Sequence, residues 1–309
     1  MHRNDSADEP DRDIADGARR NTILGIIAAL IVLAGLVAGL QLTSHRSGTT
    51  SVTSSSAQPS AATQTTSGTT PAATDLAQSF TKLTQTMGGA VGVALAPVGG
   101  GQPVNLGPWT TGPAWSTSKV PLAIAELEAK GQVTDDMTKA ITESDNTAAE
   151  EIWESLGTPG QAAAKVQDVL RANGDQSTTV ESQKIRPEYT AFGQTKWSLA
   201  NQAQFLAAAK CHDTNKPVLD LMGQIEPDQS WGLGQIGTAE FKGGWGPSIA
   251  GKYLVRQMGL IRTGSGALVA VAIAAEPDSG SLDDGEKQLT TIAGWLKDNL
   301  AKLPAGSCH

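Results

Sequence analysis

The chain has 309 residues, 17% of them charged and 4% aromatic, and a formal net charge of -8 at pH 7. That acidic balance argues against nucleic acid as the main partner, because a phosphate-binding surface needs a basic patch. Two cysteines cannot build a four-thiolate zinc site, and of the four histidines (His2, His45, His212, His309) only His212 lies well inside the chain, so a Ser-His-Asp triad and a histidine-rich metal centre are both disfavoured. No motif implies a metal or an organic cofactor. A hydrolase built on this chain needs a base other than histidine.

Residues 1–21 are polar and carry six acids against four arginines. Residues 22–42 are almost wholly apolar, close to the ~20 residues that span a bilayer core, and have no polar face. Arg19 and Arg20 flank this segment on one side and only Arg46 on the other. The expectation is a single-pass anchor in the cell membrane with a cytoplasmic N-terminal tail and an extracytoplasmic remainder. A cleaved signal peptide is the rival reading, but no small-x-small site follows the apolar run, and no cysteine follows it for lipidation. Residues 43–75 are mostly Ser, Thr, Ala and Gly, too poor in apolar surface to offset their ordering entropy, and read as a flexible linker. An exported compartment permits a disulfide, for which Cys211–Cys308 is the only intramolecular choice; two free thiols are the alternative.

Residues 76–309 read as one folded domain. Asp75–Thr86 has a helical pattern, and Ala90–Leu95 reads as a strand. A helix is predicted from about Ser116 to Lys130, where Gly131 stops it, and Thr134 precedes a helix with acids in its first turn. Further helices are predicted near 146–156, 159–172 and 198–210, with Thr158-Pro159 as a cap and first turn. Thr238–Lys242, Tyr253–Thr263 and Ala267–Ala275 read as strands, with Gly264-Ser265-Gly266 as a tight turn, and Leu282–Leu300 as a closing amphipathic helix. The order predicts an α+β fold: an antiparallel sheet that brings the first strand beside the late ones, with helices over both faces and a helical subdomain.

Three short motifs carry chemistry. Ser116-Thr117-Ser118-Lys119 sets a serine and a lysine on one helical face, at a helix start whose N–H groups favour a developing oxyanion. A lysine with a lowered pKa can take the serine proton. Ser144-Asp145-Asn146 puts a hydroxyl and an amide in a short loop between helices, and Lys242-Gly243-Gly244-Trp245 puts a lysine and close-approach glycines on a strand. Each alone is a weak signal that reads more readily as a helix cap or a glycine-rich bend.

In this order the three motifs resemble the set of the serine β-lactamase and penicillin-binding-protein superfamily, with class A β-lactamases the nearest likeness. Ala140-Ile-Thr-Glu-Ser-Asp-Asn-Thr-Ala-Ala149 looks like the matching stretch in class A enzymes, and the resemblance extends over about 90–303. It implies that Ser116 is the acylated nucleophile, Lys119 its activator, Ser144 a proton carrier to the leaving nitrogen, and Asn146 a holder of the substrate amide. It also implies that Lys242 binds a substrate carboxylate, and that the backbone N–H groups of Ser116 and Trp245, beside Gly244, form the oxyanion hole. The implied partners are β-lactams or peptidoglycan stem peptides ending in D-Ala-D-Ala; the oligomeric state is not indicated.

This sequence departs from that pattern in three places. Glu181 and Glu188 are the candidate deacylation bases, but neither sits in the family's local pattern, and one alignment places Lys184 at the expected position. The middle of the third motif is Gly243, which removes a hydroxyl that in the family touches the substrate carboxylate. Only 28 residues separate Ser116 from Ser144, about half the family's spacing, so one wall of the cleft is expected to be missing and the cleft to be open. Two function classes follow: a membrane-anchored serine hydrolase acting through an acyl-enzyme, and a non-catalytic domain of the same fold with a cell-wall binding or regulatory role.

Overall fold

The structure is a computed structural model that describes residues 71–309. The predicted tail, anchor and nearly all of the predicted linker lie outside the described residues. Among the described residues no helix is long and apolar enough to cross a membrane.

Helix α1 (Pro71–Thr84) begins four residues ahead of the predicted start, so the end of the predicted linker is helical. Strands β1 (Gly89–Pro97), β2 (Val104–Leu106) and β3 (Thr111–Pro113) follow. The predicted helix from Ser116 is a 3₁₀ turn, Trp115–Ser118, running into α2 (Lys119–Lys130), which ends where Gly131 takes a left-handed φ of 73°. Side-chain caps place the next three helices. Thr134 accepts from Met137 N–H at α3 (Asp135–Thr142), and Asp145 accepts from Ala148 N–H at α4 (Asn146–Ser155). Thr158 and Gln161 form a capping box at α5 (Pro159–Ala172). Then come β4 (Lys196–Ser198), α6 (Leu199–Ala209), α7 (Lys216–Leu221), β5 (Glu240–Pro247), β6 (Tyr253–Arg262), β7 (Leu268–Pro277) and α8 (Leu282–Asp298).

Five strands form one antiparallel sheet in the order β2-β1-β7-β6-β5, and β3 pairs with β4 in a separate ribbon. Alternation along the strands separates two cores. Val269, Val271 and Ile273 of β7 and Val91, Val93 and Leu95 of β1 face α1 and α8. Ala270, Ala272, Ala274, Ala94 and Ala96 face the helical side, where small side chains let α6 lie close. The sheet is thus covered on both faces, and the helices α2 to α5 extend one side into a helical subdomain. Cys211 and Cys308 form a disulfide, and Gly306 exchanges backbone hydrogen bonds with Leu268, so the C-terminal residues are fastened to the domain.

Candidate active site

Strand β5 is an edge strand, and its alternation decides what faces the Ser116 turn. Phe241 faces the α8 side, so Lys242, Gly244 and Gly246 face the helical side. Gly244 is the point of closest approach: a Cβ there would lie 2.8 Å from Ser116 N and 2.9 Å from Thr117 N. Only glycine lets the strand come this near to the turn. Trp115 and Ser144 are the non-glycine residues with positive φ among the described residues, 49° and 60°. One motif thus opens on a strained residue, Ser144, and another is immediately preceded by one, Trp115, a cost that persists only where the surroundings hold it.

The side chains of the three motifs converge. Lys119 Nζ donates to Ser144 O, to Asn146 Oδ1 at 2.8 Å and weakly to Ser144 Oγ at 3.4 Å. Lys242 Nζ donates to the same Ser144 Oγ at 2.8 Å and to Gly243 O at 3.1 Å. Ser144 Oγ thus stands between two buried amines. Burial lowers the Lys119 pKa to about 7, with Asp145 pulling weakly in the opposite direction. Burial, and then the neighbouring Lys119 charge, holds Lys242 well below the usual lysine range. Ser116 is partly exposed, and among the described residues no hydrogen bond joins its Oγ to Lys119 Nζ.

Ser116 opens into a cleft of about 490 Å³. Its walls include Trp115, Asn146, Glu150, Lys184, Glu188, Tyr189 and Trp245. Of the stretch between Ser116 and Ser144, only Ser116 itself lines it, in keeping with a wall that the short spacing leaves out. The candidate carboxylates part company here. Glu188 lines the cleft, but its side chain is 58% exposed and paired with Arg186 at 3.4 Å. Glu181 is not brought to Ser116; it faces a neighbouring cavity with Thr111, Ser198 and Asn201. Lys184 pairs with Glu150 across the cleft at 2.9 Å. Arg186 anchors this loop, donating to Pro247 O at 2.6 Å and lying over the Tyr189 ring, which itself packs edge-on against Trp115.

The motif reading passed over the support behind the turn. Arg256 of β6 is fully buried, among the described residues it has no carboxylate partner, and burial lowers its pKa to about 9. It donates to Pro113 O at 2.8 Å, Gly112 O, Trp197 O and Gln202 Oε1. Gln202 in turn donates to Thr117 Oγ1 at 2.7 Å. One guanidinium therefore fixes the strand entering the Ser116 turn and, through Gln202, the turn itself. An arginine amid the apolar residues of a predicted strand was the available signal.

No protein-family model and no curated protein sequence matches the chain. Solved structures do. The TLA-3 extended-spectrum β-lactamase superposes with a TM-score of 0.61 at 16% identity, covering 74% of this chain and 99% of that one. A class A β-lactamase representative from Bacteroides cellulosilyticus gives 0.63 at 13% identity over 75% and 99%. The chromosome-encoded β-lactamase of Vibrio parahaemolyticus gives 0.56 at 14% identity over 72% and 98%. At such identities the likeness is one of fold. Sheet order, flanking helices and this likeness agree: the chain has a fold like that of class A β-lactamases.

Proposed function

We propose that the domain is a serine acyl-transfer enzyme that forms an acyl-enzyme at Ser116, held outside the cell membrane by an anchor at residues 22–42. The observation that carries this reading is the convergence of Lys119, Lys242 and Ser144 Oγ beside the Ser116 turn. An amine with a pKa of about 7 is neutral often enough to accept a proton at physiological pH. Lys119 exchanges its contact with Asn146 for Ser116 as substrate enters, and takes the hydroxyl proton as Oγ attacks the acyl carbonyl. The N–H groups of Ser116 and Trp245 stabilise the oxyanion. The proton then passes from Lys119 through Ser144 to the leaving atom, and the acyl group remains on Ser116. Water completes hydrolysis slowly, because Glu188 is exposed and engaged by Arg186. The substrate classes we favour are β-lactams, after the names of the structurally similar proteins, and D-Ala-D-Ala peptides, after the motif resemblance alone.

The second reading, a non-catalytic wall-binding domain, is favoured by the direction of Lys119, which faces Asn146 and Ser144 rather than Ser116. Intact-mass spectrometry separates the two. The full chain in detergent, as wild type and as Ser116→Ala, is incubated with a penicillin and with a neutral p-nitrophenyl ester. A Ser116-dependent adduct from either compound supports catalysis; no adduct from either sinks it.

A further inference from the structure

Hydrolysis of an acyl group on Ser116 needs a base that activates water, and neither carboxylate of the loop before β4 is well placed for it. Glu181 lies outside the Ser116 cleft, with its Oε1 accepting from Gln183 N–H at 2.8 Å. Glu188 lines the cleft, but its side chain is 58% exposed and paired with Arg186, two residues away on the same loop. A third carboxylate lines the cleft with Ser116. Glu150 belongs to α4, and its side chain is 25% exposed. Among the described residues its ionic partner is Lys184, whose Nζ lies 2.9 Å from Oε1, and no protein donor reaches its Oε2.

Position on the helix matters as much as exposure. Asn146 and Glu150 stand four residues apart, so they share one face of α4. Asn146 Oδ1 accepts from Lys119 Nζ at 2.8 Å, and both Asn146 and Glu150 line the cleft with Ser116. Behind that face Ala148, Ala149, Ile152 and Trp153 are buried, and Trp153 packs against Phe192 with ring centroids 5.4 Å apart. A carboxylate on a helix fixed in the core is held more precisely than one on a loop. The loop supplies the opposite charge. One alignment to the family places Lys184 where its glutamate is expected, and Lys184 reaches Glu150 across the cleft. The acid thus stands on the helical wall and the cation on the loop wall. An ion pair this exposed is weakly held, so it orients the carboxylate without sealing it from water.

Building on the acyl-enzyme reading, we propose that Glu150 is the general base of the hydrolytic step, with Lys184 holding its carboxylate in position. Oε2 takes a proton from water as the water oxygen bonds to the acyl carbon. That proton passes to Ser116 Oγ as the bond between Oγ and the acyl carbon breaks, which regenerates the carboxylate. The test separates the two half-reactions, using the full chain in detergent and a neutral p-nitrophenyl ester. The burst of p-nitrophenol reads acylation, and decay of the Ser116 adduct in intact-mass spectra, after excess ester is removed, reads hydrolysis. Glu150→Gln is expected to lengthen the adduct lifetime by about 10²-fold or more and to leave the burst rate within about twofold. A substitution that merely loosened α4 would slow both steps alike. Glu150→Ala serves where the glutamine variant melts early, and added formate restores part of its decay. A wild-type adduct that does not decay, a variant adduct that decays as fast as wild type, or an equal loss of both steps in a folded variant overturns the assignment and leaves Ser116 acylation standing. Absence of a Ser116-dependent adduct in the wild type overturns both.

Discussion

Lys242 Nζ donates to Ser144 Oγ at 2.8 Å across the gap between an edge strand and a loop between two helices. With Lys119 Nζ 3.4 Å from the same oxygen, the hydroxyl has an amine on either side and can pass a proton onward as it receives one. Ser144→Ala breaks that path while removing one oxygen atom. Acylation of Ser116 is expected to slow by about 10²- to 10⁴-fold, the usual share of a positioned proton carrier, with little change in melting temperature. Single-turnover adduct formation measures the first and calorimetry the second.

The lowered pKa of Lys119 gives two linked pH effects. Only the neutral amine accepts the serine proton, so the acylation rate rises with pH through about 7 and levels off above it. Stability follows the same group. In the unfolded chain the lysine regains its ordinary pKa of 10.5, so between about 7 and that value the unfolded chain binds a proton that the folded chain does not. Stability therefore increases with pH over this window, and the penalty is present in full below about 7. Lys119→Met abolishes acylation and removes the penalty. Its melting-temperature advantage over wild type is expected to be larger near about pH 6 than near about pH 10.

Arg256 is a structural counterpart to those amines. Its guanidinium is shared among the carbonyls of Gly112, Pro113 and Trp197 and the Gln202 amide, a geometry that an ammonium cannot match. Arg256→Lys leaves buried acceptors unpaired and should cost about 2–4 kcal/mol in denaturant unfolding. Gln202→Leu cuts the link to Thr117 and also removes one of the four acceptors of Arg256. It is expected to lower the acylation rate more than its effect on unfolding accounts for, because it loosens the turn that carries Ser116.

Two glycines on different elements should respond in opposite ways to alanine. At Gly244 a Cβ would press on Ser116 N, Thr117 N and Ala114 O, all backbone atoms that cannot rotate away. Gly244→Ala is expected to destabilise the domain and to abolish the Ser116 adduct. At Gly294, within α8, nothing lies within 4 Å of the added atom. Gly294→Ala should stabilise the domain by about 0.5–1 kcal/mol through helix propensity alone. Chemical denaturation of both variants alongside wild type reads the contrast.

The long elements were legible because each carries several agreeing signals. α5 has Thr158, Pro159 and Gln161 at its start, and β7 alternates valine and isoleucine with alanine. The strands β2, β3 and β4 were not predicted, since three residues give no measurable alternation and their pairing is set by tertiary contact. α7 was hidden by its six-residue length. In the site, Ser116, Lys119, Ser144, Asn146 and Lys242 stood out through motif order, and the fold brings them together. Arg256 acts through partners far away in sequence, Gly112 and Trp197 among them, so its place amid apolar strand residues signals an unusual arginine without showing what it holds. The separation of Glu181 from Glu188 depends on the path of one loop, which the sequence does not encode within a short window.

The place of α1 bears on how the domain meets its surroundings. α1 packs beside β2 and α8, and β2 is the edge of the sheet opposite β5. Four strand spacings of about 4.8 Å set some 19 Å between those edges. The first helix of the domain thus covers one margin of the sheet while the Ser116 turn packs against the other, so the two ends of the sheet can be altered independently.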